Sequence, residues 1–289
     1  MSNYYQILCE NCSGSNDINE IVCSNCGLSI PGTINVRRAS LPLEIKALEE
    51  RYLLAKDHLL KNSLSDKGDE LEIAVKKNGK GIINTQFEFL WEWLIRNNFS
   101  YESYRRQLIN GARMKAKFEN DVNRTLADTI LFGSAIDIIY SALSIDEEGI
   151  MSYGDITIIL KDLSIQKRTS ALEKNSFFFI DDISNKGWTW NKPLPAGCMA
   201  VWHDVFKLSL SKLFLNLHKD STYSDLARLI LKSSGNRLTD EFIELYIFGK
   251  IIGSAIEKIR IPLKLVKTFS KKGQLQLVEL QKKFKVECY

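Results

Sequence analysis

Cys9-Glu-Asn-Cys12 and Cys23-Ser-Asn-Cys26 are two C-x-x-C pairs separated by ten residues. Each short turn directs two thiolates the same way, and two such turns complete a tetrahedral sulfur site of the kind Zn²⁺ takes. Four cysteine ligands close the coordination sphere, so zinc held there is structural rather than catalytic. A second chemical feature is Glu244, set in the apolar run Phe242-Ile-Glu-Leu-Tyr-Ile-Phe248, with Glu241 three residues before it. On a strand, Glu244, Tyr246 and Phe248 share one face and Ile243, Leu245 and Ile247 the other. A carboxylate buried in such a run must be paired or used. If its face is the solvent side, simple alternation accounts for it.

Other catalytic patterns are absent. The three histidines, His58, His203 and His218, stand in no H-E-x-x-H context, and no G-x-S-x-G, Walker loop or G-x-G-x-x-G occurs. Cys198 is isolated, and His203 beside Asp204 reads as an ordinary helix-start residue.

These residues need elements to hold them. Residues 1–35 resemble a zinc ribbon: Gly14 and Asn16-Asp17 supply turn chemistry, and Ile21-Val22 a short strand. Its loop carries Glu10, Asp17 and Glu20, with Arg37 and Arg38 the nearest cations, which favours a protein partner or a structural role over phosphate contact. Ile30-Pro31-Gly32-Thr33 breaks the chain and places a boundary near residue 40. Helical periodicity is expected over 43–60, 87–95, 101–112, 120–143, 200–217, 223–232 and 275–284. Strands are expected over 82–84, 153–160, 176–180 and 241–249, with an extended piece from Arg168 and a further strand within 255–265. Residues 181–197, with Trp188 and Trp190, read as a long loop of the kind that forms lids. The fold class that follows is α+β: a ribbon at 1–35, a mainly helical part at 40–145 and a mixed part at 146–289.

The chain has 289 residues, 45% apolar and 26% charged, with a net charge of +4, too small by itself to imply nucleic-acid binding. Basic residues cluster at Arg105, Arg106, Arg113, Lys115 and Lys117, and again over 257–287, where nine cations face three anions. Either group can be a solvated face or meet a polyanion. No basic-then-apolar leader and no run of about 18 uncharged apolar residues is present, so a cytoplasmic, membrane-free protein is expected. Four of the six cysteines within the first 26 residues fit metal binding in a reducing compartment.

Tyr153-Gly154-x-Ile156-x-Ile158-x-Leu160, then Arg168 and Asn175-Ser176, then Glu244-x-Tyr246-Ile247-x-Gly249 resemble the core of bacterial proteins similar to the ADP-ribosyltransferase superfamily. The resemblance covers roughly residues 149–260. It implies NAD as co-substrate, a macromolecular acceptor (protein or nucleic acid) and a role as a toxin or defence effector. It also implies Glu244 as the catalytic carboxylate and Glu241 as the residue that orients the acceptor. Asn175 and Ser176 would support the NAD pocket, Tyr153 would stack on nicotinamide, and Arg168 would meet the pyrophosphate. The sequence departs from the family in having no His-Gly-Thr or Ser-Thr-Ser motif, and in spacing its glutamates E-x-x-E rather than E-x-E. The other function class is a non-enzymatic protein whose ribbon and basic segments bind nucleic acid or a protein. A Glu244 in a cleft beside Ser176 and Tyr153 favours the enzyme, and a Glu244 in solvent favours the binder.

Overall fold

Segments dense in β-branched and apolar residues become the middle of one large sheet. The computed structural model of the chain describes residues 6–96, 100–111, 120–133, 136–189 and 192–289. Arg113, Lys115, Lys117 and Trp190, singled out above, lie outside the described residues. The sheet is built from β1 (Lys80–Thr85), β2 (Ile138–Ser144), β3 (Ile156–Leu160), β4 (Thr169–Leu172), β5 (Met199–Val201), β6 (Glu244–Phe248), β7 (Ile256–Ile261) and β8 (Val286–Cys288). Their order is β8-β7-β3-β1-β2-β6-β4-β5, antiparallel except where β8 runs parallel to β7.

The helices used below are α1 (Ile34–Ala39), α2 (Pro42–Lys61), α3 (Ser65–Asn78), α4 (Phe87–Trp91), α5 (Asn120–Phe132), α6 (Ser176–Asn185), α7 (Val205–Leu213) and α8 (Lys271–Lys283). Pro42 opens α2 with its φ preset for a helix, and Leu48, Ala55 and Leu59 recur along one buried stripe. That stripe packs with Leu71 of α3, Leu208 of α7 and Leu245 of the sheet. A second apolar cluster joins Phe87 and Leu90 to Ile158, Ile259 and Leu280. A third joins Ile34, Phe132 and Phe179 to Leu172 and Tyr246. The fold is α+β, with an N-terminal hairpin of Gln6–Leu8 against Ser15–Asp17 whose loop carries Cys9 and Cys12, followed by a turn between Val22 and Ser29 that carries Cys23 and Cys26.

Several elements differ from the expectation, each for a local reason. The helix expected over 120–143 stops at Phe132, because Gly133 takes φ +63 and the Ile138-Ile139-Tyr140 run pairs as strand β2. The strand expected over 176–180 is helix α6 instead. Asn175 caps it by accepting from the Phe177 N–H at 3.0 Å, and Ser176, Phe179, Ile180 and Ile183 are buried at helical spacing. An unbroken apolar run carries no period to separate the two states. Helix 200–217 yields its start to β5, and helix 223–232 ends at Ile230. Leu231-Lys232 then pairs with Glu241-Phe242, so the run expected as one strand over 241–249 is two pieces in two different sheets.

Candidate functional site

The central strands part company. β1 pairs with β2 only through Lys80–Ser144, Gly81–Leu143 and Ile82–Ala142. Beyond that point β1 continues along β3 as far as Thr85–Ile156, while β2 continues along β6 as far as Ile138–Phe248. The Ser141 hydroxyl donates to the Ile82 carbonyl at 2.8 Å and pins the vertex of the split. A cavity of about 450 Å³ opens in it, within the range of small-molecule sites. Asn84 and Thr85 line one wall and Ile139, Tyr140 and Ser141 the other. Aromatic rings close the sides, among them Phe89, Tyr104 and the pair Trp93–Tyr101, stacked at 3.8 Å.

Glu244 lies in this cavity with only 4% of its surface exposed. Side-chain alternation puts Tyr246 on the same face of β6, and its hydroxyl donates to Glu244 Oε2 at 2.9 Å. The Ser176 N–H at the start of α6 donates to the same oxygen at 2.8 Å. The Asn175 amide reaches Oε1 at 3.5 Å and the Tyr153 hydroxyl at 3.4 Å. A helix N-terminus and two side-chain donors thus stabilise the carboxylate's negative charge out of bulk water. Burial, and then the charge of Glu244, hold the Tyr246 phenol well above its ordinary value, so it stays a donor. Tyr246 also meets Tyr140 edge-on at 5.5 Å, and Tyr140 in turn is hydrogen-bonded to buried Asp128.

The structure brings together four of the residues read from the sequence: Glu244, Tyr153, Asn175 and Ser176. It does not bring Glu241 or Arg168 to them. Glu241 is exposed, on the short strand paired with Lys232. Arg168 turns its guanidinium onto the carbonyls of Phe248, Gly249 and Lys250, at 2.6, 3.1 and 3.0 Å, and holds the turn after β6. Tyr246 was missed as a partner, although its place two residues after Glu244 carried the signal. Arg237 was also missed. It lines the cavity mouth from a polar turn that has no recognisable pattern.

The N-terminal site assembles as its spacing requires. The sulfur atoms of Cys9, Cys12, Cys23 and Cys26 all lie within 4.8 Å of one another, placed to hold a metal ion. The Asn25 amide donates to Cys12 Sγ at 3.3 Å and the Gly14 N–H at 3.4 Å, which lowers the Cys12 thiol. Backbone N–H groups of the second knuckle, and the Asn16 amide at 3.5 Å, bring Cys23 down to about 6. Such bonds favour the thiolate that a metal needs. Gly27, at φ +73, closes the second knuckle by donating to the Cys23 carbonyl at 2.9 Å.

No helix among the described residues is long and apolar enough to cross a membrane. No protein-family model matches the chain, and a search of curated proteins finds no match.

Proposed function

We propose that the protein cleaves the bond between nicotinamide and ribose in NAD and passes ADP-ribose to a macromolecular acceptor. The observation that carries this reading is Glu244, a carboxylate fixed by three donors within a cavity at a split in the sheet. When the glycosidic bond breaks, its electron pair goes to the ring nitrogen, and neutral nicotinamide leaves. The ribose carbon becomes oxocarbenium-like, and a carboxylate already oriented there stabilises that charge without reorganising. The acceptor nucleophile then bonds to the carbon and releases its proton to solvent. Phe89 and the Trp93–Tyr101 pair offer apolar ring surface to the rings of the substrate. Glu241 lies outside the cavity and has no part in bond cleavage in this reading.

The four cysteines hold a structural zinc in the same reading. Their donor set is all sulfur and complete at four, which suits Zn²⁺ and leaves no position for substrate. Leu8, Ile21 and Leu28 are exposed on this ribbon, which favours a protein contact there over a phosphate backbone.

The test is nicotinamide release from NAD, with and without cell lysate. Wild type should turn over, and Glu244→Gln should lose about 100- to 1000-fold while melting like wild type. No release by wild type in either condition sinks the enzymatic reading in favour of a binding protein.

A further inference from the structure

Among the described lining residues the cavity holds one anion, Glu244, and one cation, Arg237. The two are joined through a chain of contacts. The Asn175 amide bridges Glu244 and the Tyr153 hydroxyl, and the Arg237 guanidinium lies over the Tyr153 ring, 4.7 Å from its centre. Arg237 is exposed, but it is held in place. Its Nε donates to the Ser152 carbonyl at 3.0 Å. The turn that carries it is tied to the 151–153 segment twice more. The Met151 N–H donates to the Ser233 hydroxyl at 2.9 Å, and the Ser152 hydroxyl donates to buried Asp240. Asp240 also accepts from the Ser234 N–H at 2.6 Å.

This arrangement leaves the terminal nitrogens of Arg237 with no protein acceptor among the described residues. A guanidinium fixed on one edge and stacked on a ring presents its remaining N–H fork without further loss of rotamer freedom. That fork matches the paired oxygens of a phosphoryl group. The cavity is therefore polarised: a carboxylate deep in it, suited to a developing positive charge, and a guanidinium at the mouth, suited to phosphate.

We infer that Arg237, held over the Tyr153 ring, binds the diphosphate of the nucleotide substrate, which then lies from Glu244 outward. The inference rests on the NAD-cleaving reading and assigns a residue to the phosphate end of the same site. Arg168 is unavailable for that role, because its guanidinium is spent on three carbonyls of the turn after β6.

The experiment is titration of ADP-ribose, ADP and adenosine into wild type, Arg237→Gln and Arg237→Lys, by calorimetry at low and high salt. Arg237→Gln should weaken ADP-ribose and ADP about 30-fold, leave adenosine unchanged, and flatten the salt dependence. Arg237→Lys should recover part of the loss, since it restores the charge but not the fork. Nicotinamide release in Arg237→Gln should show a raised KM, with kcat falling far less than in Glu244→Gln. Equal ADP-ribose affinity in wild type and Arg237→Gln, in a wild type that cleaves NAD, overturns this assignment alone. Equal weakening of adenosine overturns it too, since that marks general damage to the cavity. A wild type that neither cleaves NAD nor binds any of the three overturns the underlying reading and this assignment with it.

Discussion

The side-chain amide of Asn35 donates to the main-chain carbonyl of Tyr246 at 2.7 Å, across 211 residues of sequence. The same amide donates to the Arg168 carbonyl at 3.1 Å, and Asn35 is wholly buried. Two residues on in α1, Arg37 donates to the ribbon carbonyls of Ile18, at 2.8 Å, and Glu20. One short helix therefore fastens the cysteine-bearing N-terminal segment to the strand that carries Glu244.

Through that linkage, a metal held by the four cysteines would matter beyond the N-terminal segment. Stripping it with a chelator and a thiol reagent should lower the melting temperature of the whole chain, and Zn²⁺ should restore it. Arg37→Ala should make the main transition insensitive to metal, and Asn35→Ala should cost about 1–3 kcal/mol by leaving buried carbonyls without donors. Thermal unfolding with and without metal reads all three. Equal melting of loaded and stripped wild type would show that the ribbon folds independently of the sheet.

Tyr246 sets an alkaline limit. Burial, and then the Glu244 charge, raise its phenol above the ordinary value, so the folded chain holds this proton more tightly than the unfolded chain. Its contribution is therefore whole below about pH 10, the unfolded value, and is lost as pH rises through the higher folded one. Tyr246→Phe should flatten the alkaline arm of the stability curve relative to wild type. It should also slow nicotinamide release by about tenfold, because Glu244 loses a donor. Identical alkaline arms in the two proteins would remove Tyr246 from both arguments.

Gly154 marks where the cavity rim cannot tolerate a side chain. Its φ is +145, and a Cβ there would sit 2.3 Å from the Thr85 carbonyl carbon at the tip of β1. Gly154→Ala should cost more than about 3 kcal/mol, combining backbone strain with a clash against main chain that cannot yield. Gly187→Ala is the control: φ is +84, but the space around it is open, so about 1 kcal/mol is expected. Urea unfolding of the two variants side by side measures the difference. Equal costs would show that the close approach to β1 is unimportant.

Features carried by short spacing were legible in the sequence itself. The four cysteines converge because each C-x-x-C turn is a local geometry: the first closes the hairpin of Gln6–Leu8 with Ser15–Asp17, and the second is closed by the Val22–Ser29 bridge. Period-2 reading placed Glu244 and Tyr246 on one face, and that much is a property of any strand. Whether that face met solvent or a cavity was open, because burial depends on what else packs there. Tertiary structure decided it through the split between β1 and β2, which depends on pairings between segments about 60 residues apart. It also decided between helix and strand for residues 176–180, where the unbroken apolar run over 177–180 has no period and the choice falls to the Asn175 cap and the neighbours of Phe179. The two arginines show the same limit. Arg168 and Arg237 are alike in sequence, each able to meet phosphate. The fold folds one onto backbone carbonyls 80 to 82 residues away and leaves the other's fork at the cavity mouth, because hydrogen-bond partners are assigned by proximity in space.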